Sequence, residues 1–192
     1  MKKLRYILPL FALMFIACDS NDDGFYNTVY VDTANLVNIE TQAEYQVDDV
    51  LFVEAYIPNL LDEPGHLTPL DLRKTTGNVE TFEFTYNIER NVNGEWLPVD
   101  LTNSFTIIDG LANFGSFVQA FPRYDVTEDA FIFRGGIELQ QAGDYRISFG
   151  YNSRVTDQVE LFSNSSNNNI IVKISSETNQ LNDDGYYNFT VN

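Results

Sequence analysis

From Thr81 to Arg90 apolar and polar side chains alternate without a break: Phe82, Phe84, Tyr86 and Ile88 are interleaved with Glu83, Thr85, Asn87 and Glu89. Successive side chains of a strand point to opposite faces, so this segment has one apolar and one wet face only if it is extended. A chain that contains it must supply a second layer to cover the apolar row. Asn91-Val92-Asn93-Gly94 then reads as a turn and Glu95 to Val99 as the returning strand, which predicts a hairpin.

The rest of the chain follows the same logic. Phe (15) and Tyr (11) are abundant and no Ala-rich or Leu-rich segment of 3.6-residue period occurs, which favours strands over helices. Val50 to Ile57 is apolar at nearly every position except Glu54 and predicts a central strand covered on both faces. Phe105 to Ile108, Asp109-Gly110 and the apolar residues beyond predict a second hairpin, and Gly135-Gly136 predicts a bulge or bend between Ala130–Phe133 and Ile137–Leu139. In Tyr145 to Phe149, Tyr145, Ile147 and Phe149 share a face that Tyr151 continues, and Asn169 to Ser175 offers Ile170, Val172 and Ile174.

Two connections have a marked composition. Ser163 to Asn168 is wholly polar and predicts a loop, whereas Pro58 to Asn78 contains five leucines and predicts a lid on the core with one helical turn. Asn21-Asp22-Asp23-Gly24-Phe25-Tyr26-Asn27 recurs almost unchanged as Asn182-Asp183-Asp184-Gly185-Tyr186-Tyr187-Asn188, which predicts a shared local turn before a strand rather than a structural repeat.

The N-terminus has a different character. Lys2, Lys3 and Arg5 precede a twelve-residue stretch, Tyr6 to Ala17, broken only by Pro9. This is the pattern of an export signal, too short for a hydrocarbon core that requires roughly 20 apolar residues. It ends at Phe15-Ile16-Ala17-Cys18, followed at once by Asp19-Ser20-Asn21-Asp22-Asp23. These residues resemble a lipobox, which implies cleavage before Cys18 and acylation of its thiol. The alternative is an ordinary secretory signal with a cysteine at its end. Cys18 is the chain's one cysteine, and acylation consumes a thiol that export would otherwise leave exposed to oxidation. The expected organisation is a signal peptide over 1–17, a lipidated acidic tether over 18–27 and a single β-sandwich domain over 28–192. Loss of Lys2, Lys3 and Arg5 leaves 8 basic against 28 acidic side chains, a formal charge of −20. Such a surface repels phosphate backbones, so nucleic acid is excluded as a partner.

Leu139 to Phe149, with Ala142-Gly143-Asp144 leading into Tyr145, resembles the entry to the sixth strand of immunoglobulin-like sandwiches, where a corner tyrosine ties its hydroxyl back to the preceding loop. The fold class expected is therefore all-β, an immunoglobulin-like antiparallel β-sandwich after an N-terminal lipoprotein signal peptide. The acidic residues directly after Cys18 and the Tyr/Phe/Asn/Asp-rich composition resemble surface lipoproteins of the Bacteroidota. That resemblance implies an outer-membrane, lipid-anchored location, at the cell surface or facing the periplasm, with Asp19 to Asp23 as an export tether. Asp32-Thr33-Ala34 fits a short O-glycosylation sequon of the same phylum.

Few residues point to chemistry. The one histidine, His66, is set among prolines and glycine with no Gly-x-Ser-x-Gly turn to partner it, so it reads as a loop residue and no catalytic residue is expected. Neither a metal nor a cofactor is expected. Asp22-Asp23, Asp48-Asp49, Asp62-Glu63 and Asp183-Asp184 offer oxygens for calcium but read first as solvated turn acids. Trp96, Phe121, Tyr124, Tyr151, Tyr186 and Tyr187 are the rings on which a sugar face could stack, core burial being the alternative for each. The leading expectation is a non-catalytic recognition or assembly module anchored to a membrane, its partner a protein or a glycan. A glycan-binding accessory lipoprotein of a polysaccharide-uptake system is the second reading, and a secreted hydrolase using paired carboxylates the third.

Overall fold

The computed structural model describes residues 27–150, 158–164 and 168–192. The signal peptide, Cys18, most of the tether, the first copy of the Asn-Asp-Asp-Gly segment and Tyr151 lie outside them. In chain order the elements are β1 (Asn27–Ala34), β2 (Val37–Ile39), β3 (Val50–Pro58), β4 (Leu60–Leu61), β5 (Leu70–Asp71), α1 (Leu72–Thr76), β6 (Phe82–Val92), β7 (Glu95–Pro98), β8 (Phe105–Asp109), β9 (Leu111–Phe114), β10 (Val118–Phe121), β11 (Arg123–Asp125), β12 (Ala130–Glu138), β13 (Gly143–Phe149), β14 (Gln158–Ser163), β15 (Ile170–Glu177) and β16 (Tyr187–Val191).

Two sheets face each other, as the sandwich expectation requires. The larger is organised on β6, flanked by β13 and β14 on one side and by β7 and β10 on the other; the smaller holds β11, β12, β3, β2 and β8. The apolar row of β6 packs across the gap onto β12, with ring centres of Phe82 and Phe131 4.8 Å apart and those of Phe84 and Phe133 5.6 Å apart, both edge-to-face. The alternation in Thr81–Arg90 thus does what it predicts: Phe82, Phe84, Tyr86 and Ile88 are buried and their neighbours are partly open. The hairpin to β7 forms as expected, with Asn93 and Gly94 both at positive φ (55° and 92°), as a tight two-residue turn demands.

The tyrosine corner is also present. The Tyr145 hydroxyl donates to the Gln141 carbonyl at 2.8 Å, and Ile147 and Phe149 follow Tyr145 into the core. Gly135-Gly136 is a bulge on one side only: β12 pairs with β3 without interruption, while its register with β8 shifts between Arg134 and Gly135. A Cβ on Gly135 would stand 2.6 Å from the end of the Phe105 ring and 2.8 Å from that of Phe133, so glycine is what lets these rings lie against the backbone.

Four expectations need correction. The segment from Phe105 onward is not a hairpin, because β8 joins β12 in one sheet and β9 joins β10 in the other; Asp109-Gly110 is a corner between layers. β3 is an inner strand, between β2 and β12, but it is not covered on both faces: every second residue is buried while Tyr56 stands 48% exposed. Phe52 on that open face is shielded by the Arg134 guanidinium, 4.0 Å from its ring centre, rather than by another layer. The larger sheet is not wholly antiparallel, since β1 runs parallel to β15 over its full length. Ser163 belongs to β14 and is buried, its hydroxyl accepting from the Val172 amide at 2.8 Å, so the polar loop begins only after it.

The leucine-rich connection is a lid, as predicted. β4 and β5 pair, α1 follows with the Asp71 side chain capping its start through the Lys74 amide, and Leu61 and Leu72 plug the core while Leu67 at the tip is fully exposed. Asn168 donates to the Thr75 carbonyl and the Asn164 amide to the Thr81 carbonyl, which places the lid and the β14–β15 loop at one end. Asn27 lies at that same end, paired with Ile170.

Candidate functional site

At the opposite end, roughly 33 Å along β6 at ~3.3 Å per residue, aromatic and polar side chains gather on the outer face of the larger sheet. Trp96 pairs with Asn91 across the β6–β7 hairpin, so it shares the outward row of Glu89. Glu89 pairs with Arg146 of β13, and Arg146 with Asn188 of β16. Three strands thereby bring Trp96, Glu89, Arg146 and Asn188 into one band.

Arg146 organises this band. Its guanidinium carbon lies 4.0 Å from the ring centre of Tyr186 and 4.5 Å from that of Trp96, and its Nε donates to Glu89 Oε2 at 2.6 Å. Both partners of this ion pair are mostly shielded, with 19% and 16% of their side-chain surface open, so the guanidinium is held rather than offered to a ligand. Tyr186 is positioned by the predicted turn: Asn182 Oδ1 accepts from the amides of Asp184 and Tyr186, and Gly185 takes φ 82°.

Beside the stacked arginine lies a shallow hollow of about 300 Å3, bounded by Trp96, Asp144, Asn188 and Thr190. The Thr190 hydroxyl donates to Asp144 Oδ1 at 2.8 Å, which orients a carboxylate next to a half-buried indole. An aromatic wall with a carboxylate, an amide and a hydroxyl alongside suits a ligand with an apolar C–H face and several hydroxyls.

The other rings are accounted for differently. Tyr124 is covered by the Arg73 guanidinium at 4.0 Å and donates to Asp129 at 2.6 Å, which pushes its own hydroxyl pKa up. Tyr187 faces inward, its hydroxyl 3.3 Å from that of Tyr45, and burial raises its pKa. Phe121 is half-buried at the end of β10. Of the five singled-out rings that lie among the described residues, Trp96 and Tyr186 come together, on the two sides of Arg146. Glu89, Asp144, Arg146, Asn188 and Thr190 carried no signal beyond lying at wet positions of alternating strands; only the register shows them adjacent.

Of the other candidates, His66 is largely exposed and faces Glu63 at 3.5 Å. Among the described residues no three His, Cys, Asp or Glu side chains converge as a metal site would require. Glu40 and Glu54 share a hydrogen bond on the outer face of the smaller sheet. That contact with Glu40, with burial second, raises the pKa of Glu54, while the same hydrogen bond lowers that of Glu40. Arg134 contacts both at 2.6 Å, so the three side chains form one charged cluster. Asp32-Thr33-Ala34 lies within β1, hydrogen-bonded to β15. No helix among the described residues is long and apolar enough to cross a membrane.

Comparison of the chain with protein-family models, with curated proteins and with solved structures returns no match in any of the three.

Proposed function

We propose that this chain is a non-catalytic recognition module, held on a membrane outside the cytoplasm by a lipidated Cys18, and that it binds glycan through the hollow beside Trp96. One observation carries the reading: a half-open indole lines one hollow with Asp144, Asn188 and Thr190 at the end of the sandwich remote from Asn27. A tether entering at Asn27 leaves that end facing away from the bilayer. The Bacteroidota resemblance agrees with this arrangement, and an outer-membrane address follows from it.

A glycan array probed with the full-length protein tests the reading. Specific signals are expected, and Trp96→Ala should abolish them without unfolding the domain. An array without signals would reject the glycan ligand.

The assembly reading rests on a separate feature. Ile107, Ile108, Leu111 and Phe114 are 37–51% exposed on β8 and β9, each of which pairs on one side only among the described residues. Unpaired strand edges with apolar side chains favour addition of a partner strand. Sedimentation of the wild type against an Ile108→Lys, Leu111→Lys variant separates this reading from the first, since those residues are remote from Trp96.

A further inference from the structure

Of the side chains that bound the hollow beside Trp96, Asp144 alone carries a charge. It is exposed, and its Oδ1 accepts from the Thr190 hydroxyl at 2.8 Å. Its second oxygen takes part in no hydrogen bond or ion pair among the described residues. Thr190 therefore holds the carboxylate in place and leaves half of its accepting capacity open. A carboxylate only accepts hydrogen bonds, and sugar hydroxyls donate them. The carboxylate of an acidic sugar is itself an acceptor without a proton at neutral pH, so it offers Asp144 nothing to accept.

No base among the described residues bounds the hollow to offset this charge. Arg146, the cation of the neighbouring band, is matched by Glu89 at 2.6 Å and covered by the rings of Trp96 and Tyr186. The turn that positions Tyr186 adds two exposed acids, Asp183 and Asp184, and the chain as a whole carries a net charge of −17. A hollow of about 300 Å3 measures ~7 Å across, less than the Debye length of ~8 Å in physiological salt, so an acid on a bound sugar stays within the field of Asp144. Two like charges at that separation, partly in water, weaken binding by about tenfold.

We infer that the hollow selects glycans whose bound unit bears no acidic group, with Asp144 as the residue that sets this preference by accepting from sugar hydroxyls and repelling sugar acids; this rests on the glycan reading of the same hollow. The full-length protein and its Asp144→Asn variant are probed on one array that carries neutral glycans beside glycans ending in uronic or sialic acid. Wild-type signals are expected on neutral glycans. Asp144→Asn keeps an oxygen for Thr190, removes the charge and adds an N–H donor, so neutral signals should fall several-fold while acidic ones rise. Trp96 is the chain's one tryptophan, so its fluorescence reports on this hollow: the strongest neutral hit, free in solution, should shift the emission saturably. A silent array removes the glycan reading and this inference together. Wild-type signals as strong on acidic glycans as on neutral ones overturn this inference alone and leave the glycan reading standing. An acidic-to-neutral ratio unchanged in a folded Asp144→Asn variant also overturns it, and so does a neutral hit that leaves the Trp96 emission unmoved.

Discussion

The Tyr145 hydroxyl closes a 2.8 Å hydrogen bond onto the Gln141 carbonyl four residues upstream, while its ring stacks on Phe189 with centres 5.4 Å apart. One side chain therefore fastens the loop before β13 and the last strand, β16, to the same corner. Removing only the hydroxyl leaves the stack intact and the carbonyl without this donor. Tyr145→Phe is expected to destabilise the domain by about 1–2 kcal/mol, read from urea unfolding as a lower midpoint with an unchanged slope.

Close approach at the β12 bulge gives a second expectation. Gly135→Ala drives a methyl group into the ends of Phe105 and Phe133, and Phe133 is fully buried. Overpacking of this kind costs about 1–3 kcal/mol. Gly115→Ala, where an added Cβ meets nothing within 4 Å, is the control and should leave stability within about 0.5 kcal/mol. Equal thermal midpoints for the two variants would contradict the packing described.

The Glu40–Glu54 pair predicts a pH dependence. The folded-state pKa of Glu54 is raised, first by its hydrogen bond to Glu40 and then by burial, so its contribution is complete below the ordinary glutamate pKa of about 4.3 and is lost as pH rises through the elevated value. Glu40 is shifted down, so its contribution is present above about 4.3 and is lost as pH falls through the lowered value. Glu54→Gln should abolish the first loss, and its stability relative to wild type should rise with pH above about 4.3. With both carboxylates about 40% open, solvent screening keeps the effect below about 1 kcal/mol. Unfolding curves from pH 4 to pH 7, at about half-unit steps, measure it; a relative stability independent of pH would contradict the raised pKa of Glu54.

Lipidation predicts a mass and a location. Whole-protein mass spectrometry should find residues 1–17 absent and acyl chains on Cys18, and Cys18→Ser should move the protein from the membrane fraction to the soluble one. Recovery of Met1 with an unmodified thiol in the soluble fraction would reject the anchor.

The local elements were legible where a single strand carried its own evidence. The row Phe82, Phe84, Tyr86, Ile88, the Asn93-Gly94 turn and the Tyr145 corner each depend on residues near in the chain, and the structure has all three. Asp109-Gly110 misled because a turn dipeptide between apolar segments looks alike whether the chain folds back within a sheet or crosses to the other layer. Val50 to Ile57 misled because apolar residues on an open face can be shielded singly, as Arg134 shields Phe52, without a further layer.

Sequence alone determined that the chain is β-rich and acidic, with a single histidine and a single cysteine, because composition and the period of two are properties of neighbours along the backbone. Tertiary structure alone decided that Arg146 of β13 lies between Trp96 of β7 and Tyr186. Those meetings depend on strand register, which is set by how the whole apolar face packs, and a shift of one residue would turn every one of these side chains to the other face.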